Sequence, residues 1–359
     1  MPVDTRVALP EDVASLLLAW YDAHARTLPW RTPPGDSTPP DPYRVWLSEI
    51  MLQQTTVAAV GPYFAKFTAR WPTVAALAAA DEAELMAAWA GLGYYARARN
   101  LIACARAVVD QHGGRFPDTE AGLRTLPGLG AYTAAAVAAI AFGRRAVVVD
   151  ANVERVMTRL FALAEPLPAA RPRIRALADT ITPDDRAGDF AQAMMDLGSS
   201  ICTTRRPRCL LCPLAADCLA RAEGDPELYP VKPAKKAKPH RRGLAYWLEV
   251  EGAVLLVRRP DKGLLGGMRA LPDGGWGDIA EAAPPAQADW RQIGTVEHVF
   301  THFSLSLDVM AADLPTRPAT DVPDSLWWPV ADIEQAGLPT LYARAAALGR
   351  AFTREVLPL

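Results

Sequence analysis

The chain has no apolar run long enough to cross a bilayer, which takes about 20 residues. Its opening, MPVDTRVALPED, lacks the apolar core of a secretory signal. A membrane or secreted protein is therefore not expected, and a cytoplasmic one is. Nor is there an excess of charge of one sign. Against 38 Lys and Arg stand 40 Asp and Glu, a net charge of −2, so any surface for a polyanion has to be a local patch. Cysteine is scarce at 5 in 359 residues, too few for a disulfide framework. Four of the five crowd between positions 202 and 218, which points to a metal centre in a reducing compartment. What is plentiful is proline, 32 residues, implying many turns and a stiff connector. The length suits two domains with sizeable cores.

The most informative stretch runs from Leu126 to Asn152. Leu126-Pro127-Gly128-Leu129-Gly130 makes a tight turn, and an alanine-rich helix starts near Ala131. Backbone amides at a glycine turn feeding a helix form an anion site, and a nucleotide phosphate is one such anion. Such a turn also serves as a plain helix connection. After Val147-Val148-Val149 comes Asp150, readable as the N-cap of a helix Ala151–Leu163 or as a functional carboxylate.

A second acid stands out. Helical spacing over Glu11–His24 is followed by Leu28-Pro29-Trp30-Arg31, a proline-rich loop and then PYRVWLSEIMLQQT from Pro42. Glu49 there has Trp46 and Val45 behind it and Leu52 and Gln53 ahead. A carboxylate on an apolar face is costly unless paired or protonated. It is either a half-exposed helix charge or a desolvated acid with a raised pKa. Gly91-Leu92-Gly93-Tyr94-Tyr95-Ala96-Arg97 combines a turn, aromatics and arginine, either as packed tyrosines at a helix start or as a stacking and phosphate-contacting loop. Cys104 is expected to be buried and inert.

A helix is expected over Asp189–Ile201, and then comes Cys202-x6-Cys209-x2-Cys212-x5-Cys218. Four thiolates this close suit one metal centre, and zinc is the generic occupant. The spacing differs from both ferredoxin patterns. Arg205, Arg206 and Arg208 are candidate phosphate contacts. Residues 225–242 read as a basic, proline-containing linker. The remainder is expected to be β-rich, with strands at Ala245–Val250, Val254–Arg259 and His302–Val309 and a helix over Leu338–Val356.

LPGLGAYTAAAVAAIAFG followed by VDANVERV resembles the helix-hairpin-helix DNA glycosylases of the endonuclease III superfamily, most closely the adenine DNA glycosylase (MutY) family. SEIMLQQT, GLGYYxRAxNL and the four-cysteine spacing resemble that family too, and the likeness covers most of the chain. The resemblance implies a mainly α glycosylase domain over 1–224, the linker 225–242, and an α+β Nudix-like domain over 243–359. It implies a [4Fe–4S] cluster on Cys202, Cys209, Cys212 and Cys218. Its partner would be double-stranded DNA with adenine mispaired with 8-oxoguanine or guanine, bound by a monomer at the nucleoid.

In that reading Glu49 is the general acid, Asp150 faces the deoxyribose, and Tyr132 and Asn152 orient Asp150. Tyr132 stands where bifunctional relatives carry a lysine, so strand cleavage is not expected. The environments of Glu49 and Asp150 should push their pKa values apart. Trp30, Arg31, Gln54 as a wedge, Tyr94 as intercalator, Gly128 and Gly130 at the hairpin, and Gln192 at the adenine would contact DNA or base.

In the second domain GLLGGM then LP resembles the family's GLLGGLWEFP loop, with Arg269-Ala270 in place of Trp-Glu. Asp273–Ala288 lacks the glutamate cluster for metal-dependent nucleotide hydrolysis. Phe300-Thr301-His302-Phe303-Ser304-Leu305 resembles the family's FSHFHL loop, so Thr301 and His302 would read 8-oxoguanine, with Ser304 where the family has its second histidine. The rivals are a thymine or uracil mismatch glycosylase, an AP lyase of the same superfamily, and a non-catalytic iron–sulfur DNA-binding protein.

Overall fold

The structure is a computed structural model that describes residues 10–233, 238–260, 263–277, 283–318 and 322–356. It divides into two compact units, 1–79 with 100–234 and 80–99 with 235–359.

The first unit is helical. Ala131–Phe142 is its central element, and Thr133 through Ala141 are all buried. A helix apolar all round is stable only when neighbours cover every face. Pro42–Leu52, Ala187–Ser200 and the short Glu120–Leu123 pack on it, and Ala187–Ser200 also packs on Pro10–His24 and Ala151–Leu160. The small alanine side chains let these backbones approach closely, so positions on the neighbouring helices are fixed by hard contact.

The turn into Ala131–Phe142 needs its first glycine for two reasons. Gly128 has φ +75°, and a Cβ there would fall 2.6 Å from Cβ of Asn100. Gly130 caps the helix from an extended conformation with no side-chain hydrogen bond, and a Cβ there would meet nothing within 4 Å. The first amides of the helix therefore carry no capping side chain. Asp150 caps the helix Ala151–Leu160, and Arg171–Ile181 follows. The cysteines lie on a loop after Ser200 that holds only a 3-10 turn at Cys209–Leu211 and the short helix Leu219–Ala222.

The second unit is built on a sheet. Strands β1 (His240–Val250), β2 (Ala253–Arg258), β3 (Arg269–Ala270), β4 (Asp273–Gly277), β5 (Arg291–Val299), β6 (Ser304–Asp313) and β7 (Ser325–Pro329) form it. Their order is β3-β2-β1-β6-β5, with β4 beside β1 and β7 beside β2. β1 and β6 run parallel, from His240 opposite Ser304 to Glu249 opposite Asp313. The helix Thr340–Val356 covers one face, where Trp247, Leu307, Val309 and Tyr342 are buried together. Residues 80–99 belong to this unit, and the Arg99 guanidinium donates to the Gly266 carbonyl.

The expected strands are present, but β1 starts at His240, inside the stretch expected to be linker. Its parallel ladder with β6 organises those basic residues. Elsewhere in that stretch Pro226–Leu228 forms a 3-10 turn, and the Val231 carbonyl accepts from Leu167 N–H at 2.9 Å. Its residues 234–237 lie outside the described residues, as do 278–282 of the segment expected to lack the glutamate cluster. β3, β4, β5 and β7 were not expected. DGGWG in β4 has little β-propensity of its own and is ordered by pairing with β1.

Candidate active site

A cavity of about 780 Å³ opens in the helical unit, walled by residues from five helices and the loops beside them. Glu49 from Pro42–Leu52, Tyr132 from Ala131–Phe142, Asp150 and Asn152 from the start of Ala151–Leu160, Gln192 from Ala187–Ser200, and Trp30 and Arg31 from the connecting loop all line it.

Glu49 is only 6% exposed, so its carboxyl is desolvated as the sequence suggested. Tyr132 donates its hydroxyl to Glu49 Oε2 at 2.7 Å. Burial pushes the Glu49 pKa up to about 7; the Tyr132 hydrogen bond opposes this, the Asp150 charge adds to it, and Arg31 opposes it. Tyr132 was expected to orient Asp150. Its hydroxyl instead engages Glu49, because it projects from the first turn of its helix toward the facing helix that carries Glu49.

Asp150 is a helix cap, and it lines the cavity as well. Its Oδ1 accepts from Val153 N–H at 2.7 Å, a helix cap, and its Oδ2 accepts from Asn152 Nδ2 at 2.9 Å. The cap fixes the carboxylate while it lines the cavity. Burial raises its pKa, against the Val153 amide and Asn152 hydrogen bonds and the Arg155 charge. Both carboxyls thus move upward, and only the Glu49 shift is large. Desolvation acts on both, and the donors around Asp150 offset only part of it.

Asn152 is held from behind. Its Oδ1 accepts from Arg155 Nη2 at 2.9 Å, and Arg155 Nε donates to the Cys202 carbonyl at 2.7 Å. Gly198 lies so close that a Cβ there would fall 2.6 Å from Cβ of Asn152. Arg159, fully buried, donates to the carbonyls of Tyr229, Thr203 and Thr204 and to Cys202 Sγ at 3.3 Å. Neither arginine was singled out in the sequence. The signal was there, since Arg155 and Arg159 sit four apart beside Val153, Val156, Met157 and Leu160, all buried.

Arg31 was expected to contact DNA or base, and it lines the cavity as half of a buried ion pair. Its Nη1 lies 2.7 Å from Asp196 Oδ2. Asp196, fully buried, also takes Arg26 Nη2 at 2.6 Å. Asp196 does not stand out in the sequence, although the acid inside AMMDLG is visible there. Trp30 packs its ring edge-on to Phe64 at 5.2 Å, and Gln192 is buried in the cavity wall.

Gln54 is exposed, lines the cavity and has φ 61°. Tyr94, in the other unit, is 50% exposed with φ 50°. Left-handed backbone at a non-glycine residue is uncommon and gathers at functional positions. Arg97 lies 5.4 Å over the Tyr94 ring. Thr301 and His302 are exposed at the tip between β5 and β6, a turn closed by Phe300 N–H to the Phe303 carbonyl at 2.8 Å.

Cys202, Cys209, Cys212 and Cys218 are free, half-buried thiols within Coulombic reach of one another, whereas Cys104 is fully buried. Among the described residues no three His, Cys, Asp or Glu side chains close on a single ion. Arg205, Arg206 and Arg208 are exposed on the same loop.

The raised Glu49 pKa has a consequence for stability. A carboxyl with a pKa of 4.5 unfolded and about 7 folded favours the folded state at low pH, and that contribution is lost between those two values. The gap corresponds to roughly 3 kcal/mol at 1.36 kcal/mol per pH unit. Glu49→Gln keeps an acceptor for Tyr132 and cannot ionise. It should raise the melting temperature at pH 8 and change it little at pH 5. A lower melting temperature at pH 8 would show that Glu49 is not desolvated at a cost.

The chain is similar to known proteins over most of its length. Residues 47–179 match the HhH-GPD superfamily base excision DNA repair protein family, and residues 244–348 match the NUDIX domain. The adenine DNA glycosylase of Homo sapiens is 35% identical over 87% of this chain and 69% of its own length. That of Buchnera aphidicola is 31% identical over 91% and 94%. Among solved structures, a thermostable thymine-DNA glycosylase superposes with TM-score 0.53 at 32% identity, covering 59% of this chain and 95% of its own. A trapped endonuclease III–DNA covalent intermediate shares the fold, with TM-score 0.50 at 24% identity over 60% of this chain and 98% of its own. With relatives of that identity spanning the helical and the sheet portions alike, the chain belongs to the adenine DNA glycosylase family, enzymes of base-excision DNA repair.

Proposed function

We propose that this enzyme removes adenine opposite 8-oxoguanine, and opposite guanine, by hydrolysing the N-glycosidic bond without cutting the strand. The observation that supports the mechanism best is the buried Glu49 carboxyl in the same cavity as the capped Asp150 carboxylate. The adenine leaves the duplex for the cavity, at an unstacking cost of a few kcal/mol. Glu49 passes its proton to N7 of the base, and the C1′–N9 bond breaks with its electron pair going to the base. Asp150, held by Val153 and Asn152, faces the oxocarbenium-like sugar, and water adds at C1′ with its released proton returning to the Glu49 carboxylate. Tyr132 steadies the Glu49 carboxyl. No lysine lines the cavity among the described residues, so the amine that Schiff-base chemistry requires is missing there. Glu49 and the second domain favour adenine over the thymine named for the solved relative, which covers only 59% of this chain.

The hairpin at Gly128 and Gly130 would take a phosphate, Tyr94 and Gln54 would fill the duplex where the base leaves, and Trp30, Arg31 and Gln192 would wall the base. Thr301 and His302, at an exposed tip, would read the opposite 8-oxoguanine. The four cysteines fit a [4Fe–4S] cluster as a donor set of unpaired thiols, grouped but not converging on one ion. When bound, that cluster would supply a structural tie for the loop carrying Arg205, Arg206 and Arg208. Arg159 and Arg155 meet the same loop at Cys202.

Purified protein should contain about four irons per chain, and metal analysis finding one zinc and no iron would overturn the cluster. The lesion preference is tested with Thr301→Val. One lost hydrogen bond to a lesion-specific group should narrow the ratio of excision from A:8-oxoguanine over A:G about 5-fold or more, leaving A:G excision nearly unchanged. Equal losses on both duplexes would remove the lesion-reading role from this tip.

A further inference from the structure

Asp196 is the most deeply buried acid among the described residues, and the chemistry above does not use it. Its Oδ1 takes Arg26 Nε and Nη2, each at 2.6 Å. Its Oδ2 takes the Arg26 backbone N–H at 3.1 Å and Arg31 Nη1 at 2.7 Å. Both oxygens are therefore filled by the connecting loop that also carries Trp30 into the cavity wall. Asp196 stands one turn after Gln192 on Ala187–Ser200, so the same clamp ties two walls of the cavity together. The two arginines differ in what else can balance them. A third of the Arg26 side chain is exposed, at 33%, against 8% for Arg31. Water screens Arg26, and the carboxylate is left to balance Arg31.

We propose that Asp196 is a positioning residue for base excision, clamping Arg31 in the cavity wall and balancing its charge beside the Glu49 acid. Arg31 and Glu49 line one cavity within Coulombic reach of each other, and there Arg31 works against the burial that keeps Glu49 protonated. An unbalanced guanidinium at that place would draw the proton off Glu49 before a base could take it. The other groups around Glu49 do not balance Arg31. Tyr132 donates to Glu49, and Asp150 spends its oxygens on Val153 and Asn152. Val57–Arg70, also packed on the Glu49 helix, carries Lys66 and Arg70, both exposed. Nor does anything near Asp196 replace it. Tyr21 lies within reach of the pair as a neutral phenol, its pKa pushed up to about 12 by burial. Asp22 and Asp189 are paired with Arg186, and Glu154 with Arg171. Arg155 and Arg159 are spent on the cysteine loop. Asp196 is the counter-ion that Arg31 has.

This inference rests on the reading of Glu49 as the acid that protonates the base, and the two fail differently. The experiment follows single-turnover adenine excision by full-length protein against pH and reads the midpoint of the falling limb. Asp196→Asn keeps the shape and removes the charge. It should move that midpoint down by about one pH unit or more. The loss of rate should then be small near pH 5 and reach about tenfold near pH 8. Adding Arg31→Gln should return the midpoint to the parent value or above, whatever it does to the rate, because the unbalanced cation is gone. Arg26→Gln, at a partly exposed site, tests the same balance without emptying the buried one. It leaves the whole carboxylate to Arg31 and should move the midpoint up, so it decides the matter if Asp196→Asn does not fold. A purely structural role would lower the rate of Asp196→Asn by one factor at every pH, and an unmoved midpoint overturns the inference. So does a midpoint that stays low in the double variant, or one that fails to rise in Arg26→Gln. A parent enzyme with no falling limb would instead overturn the acid reading of Glu49, and the inference with it.

Discussion

Desolvation of one carboxyl governs this molecule. Glu49 sits in a cavity wall with 6% of its surface exposed, and burial outweighs both Tyr132 and Arg31 in setting its proton affinity. An acid that holds its proton near neutral pH can give it to a leaving base, and one left in water cannot. The cost is borne by the folded state, which loses stability as the pH rises through the Glu49 pKa. The close-packed helix Ala131–Phe142 offsets such a cost: it is buried on all sides and positions Tyr132 at its first turn.

Asp150 solves a different problem with the same means. A helix needs a cap, and a carboxylate in a cavity wall needs a fixed orientation. One side chain serves both, with Val153 N–H on one oxygen and Asn152 on the other. Asn152 is held in turn by Arg155, which also binds the Cys202 carbonyl, so the cysteine loop and the carboxylate share one chain of hydrogen bonds. Helix ends, glycine contacts and arginine-to-carbonyl bonds replace any large rigid sheet in this unit.

Much of this was legible in the residues. An acid amid Val45, Trp46 and Leu52 announces burial, and a glycine turn before an alanine run announces a tight hairpin. The partners were harder to read. Whether Tyr132 meets Asp150 or Glu49 depends on how two helices face each other, which no local pattern encodes. Asp196 was missed because its two arginine partners lie about 170 and 165 residues away in sequence. The upward shift of Asp150 was missed for a related reason: capping donors are visible from spacing, but the depth of burial that outweighs them is a tertiary property. In the sheet, β6 had recognisable apolar alternation and β1 read as a short strand, while β4 and β7 take their order from neighbours. Only the parallel register could bring His240 beside Ser304.

The proposed chemistry depends on the protonation of Glu49. The direct measurement is the single-turnover rate of adenine excision from an A:8-oxoguanine duplex between about pH 5 and 9. The rate should fall as the pH rises past about 7, approaching tenfold per pH unit, because the buried acid loses its proton. A rate that is level or rising across that range would contradict it, and Glu49 would then be no more than a carboxylate in the wall of a cavity.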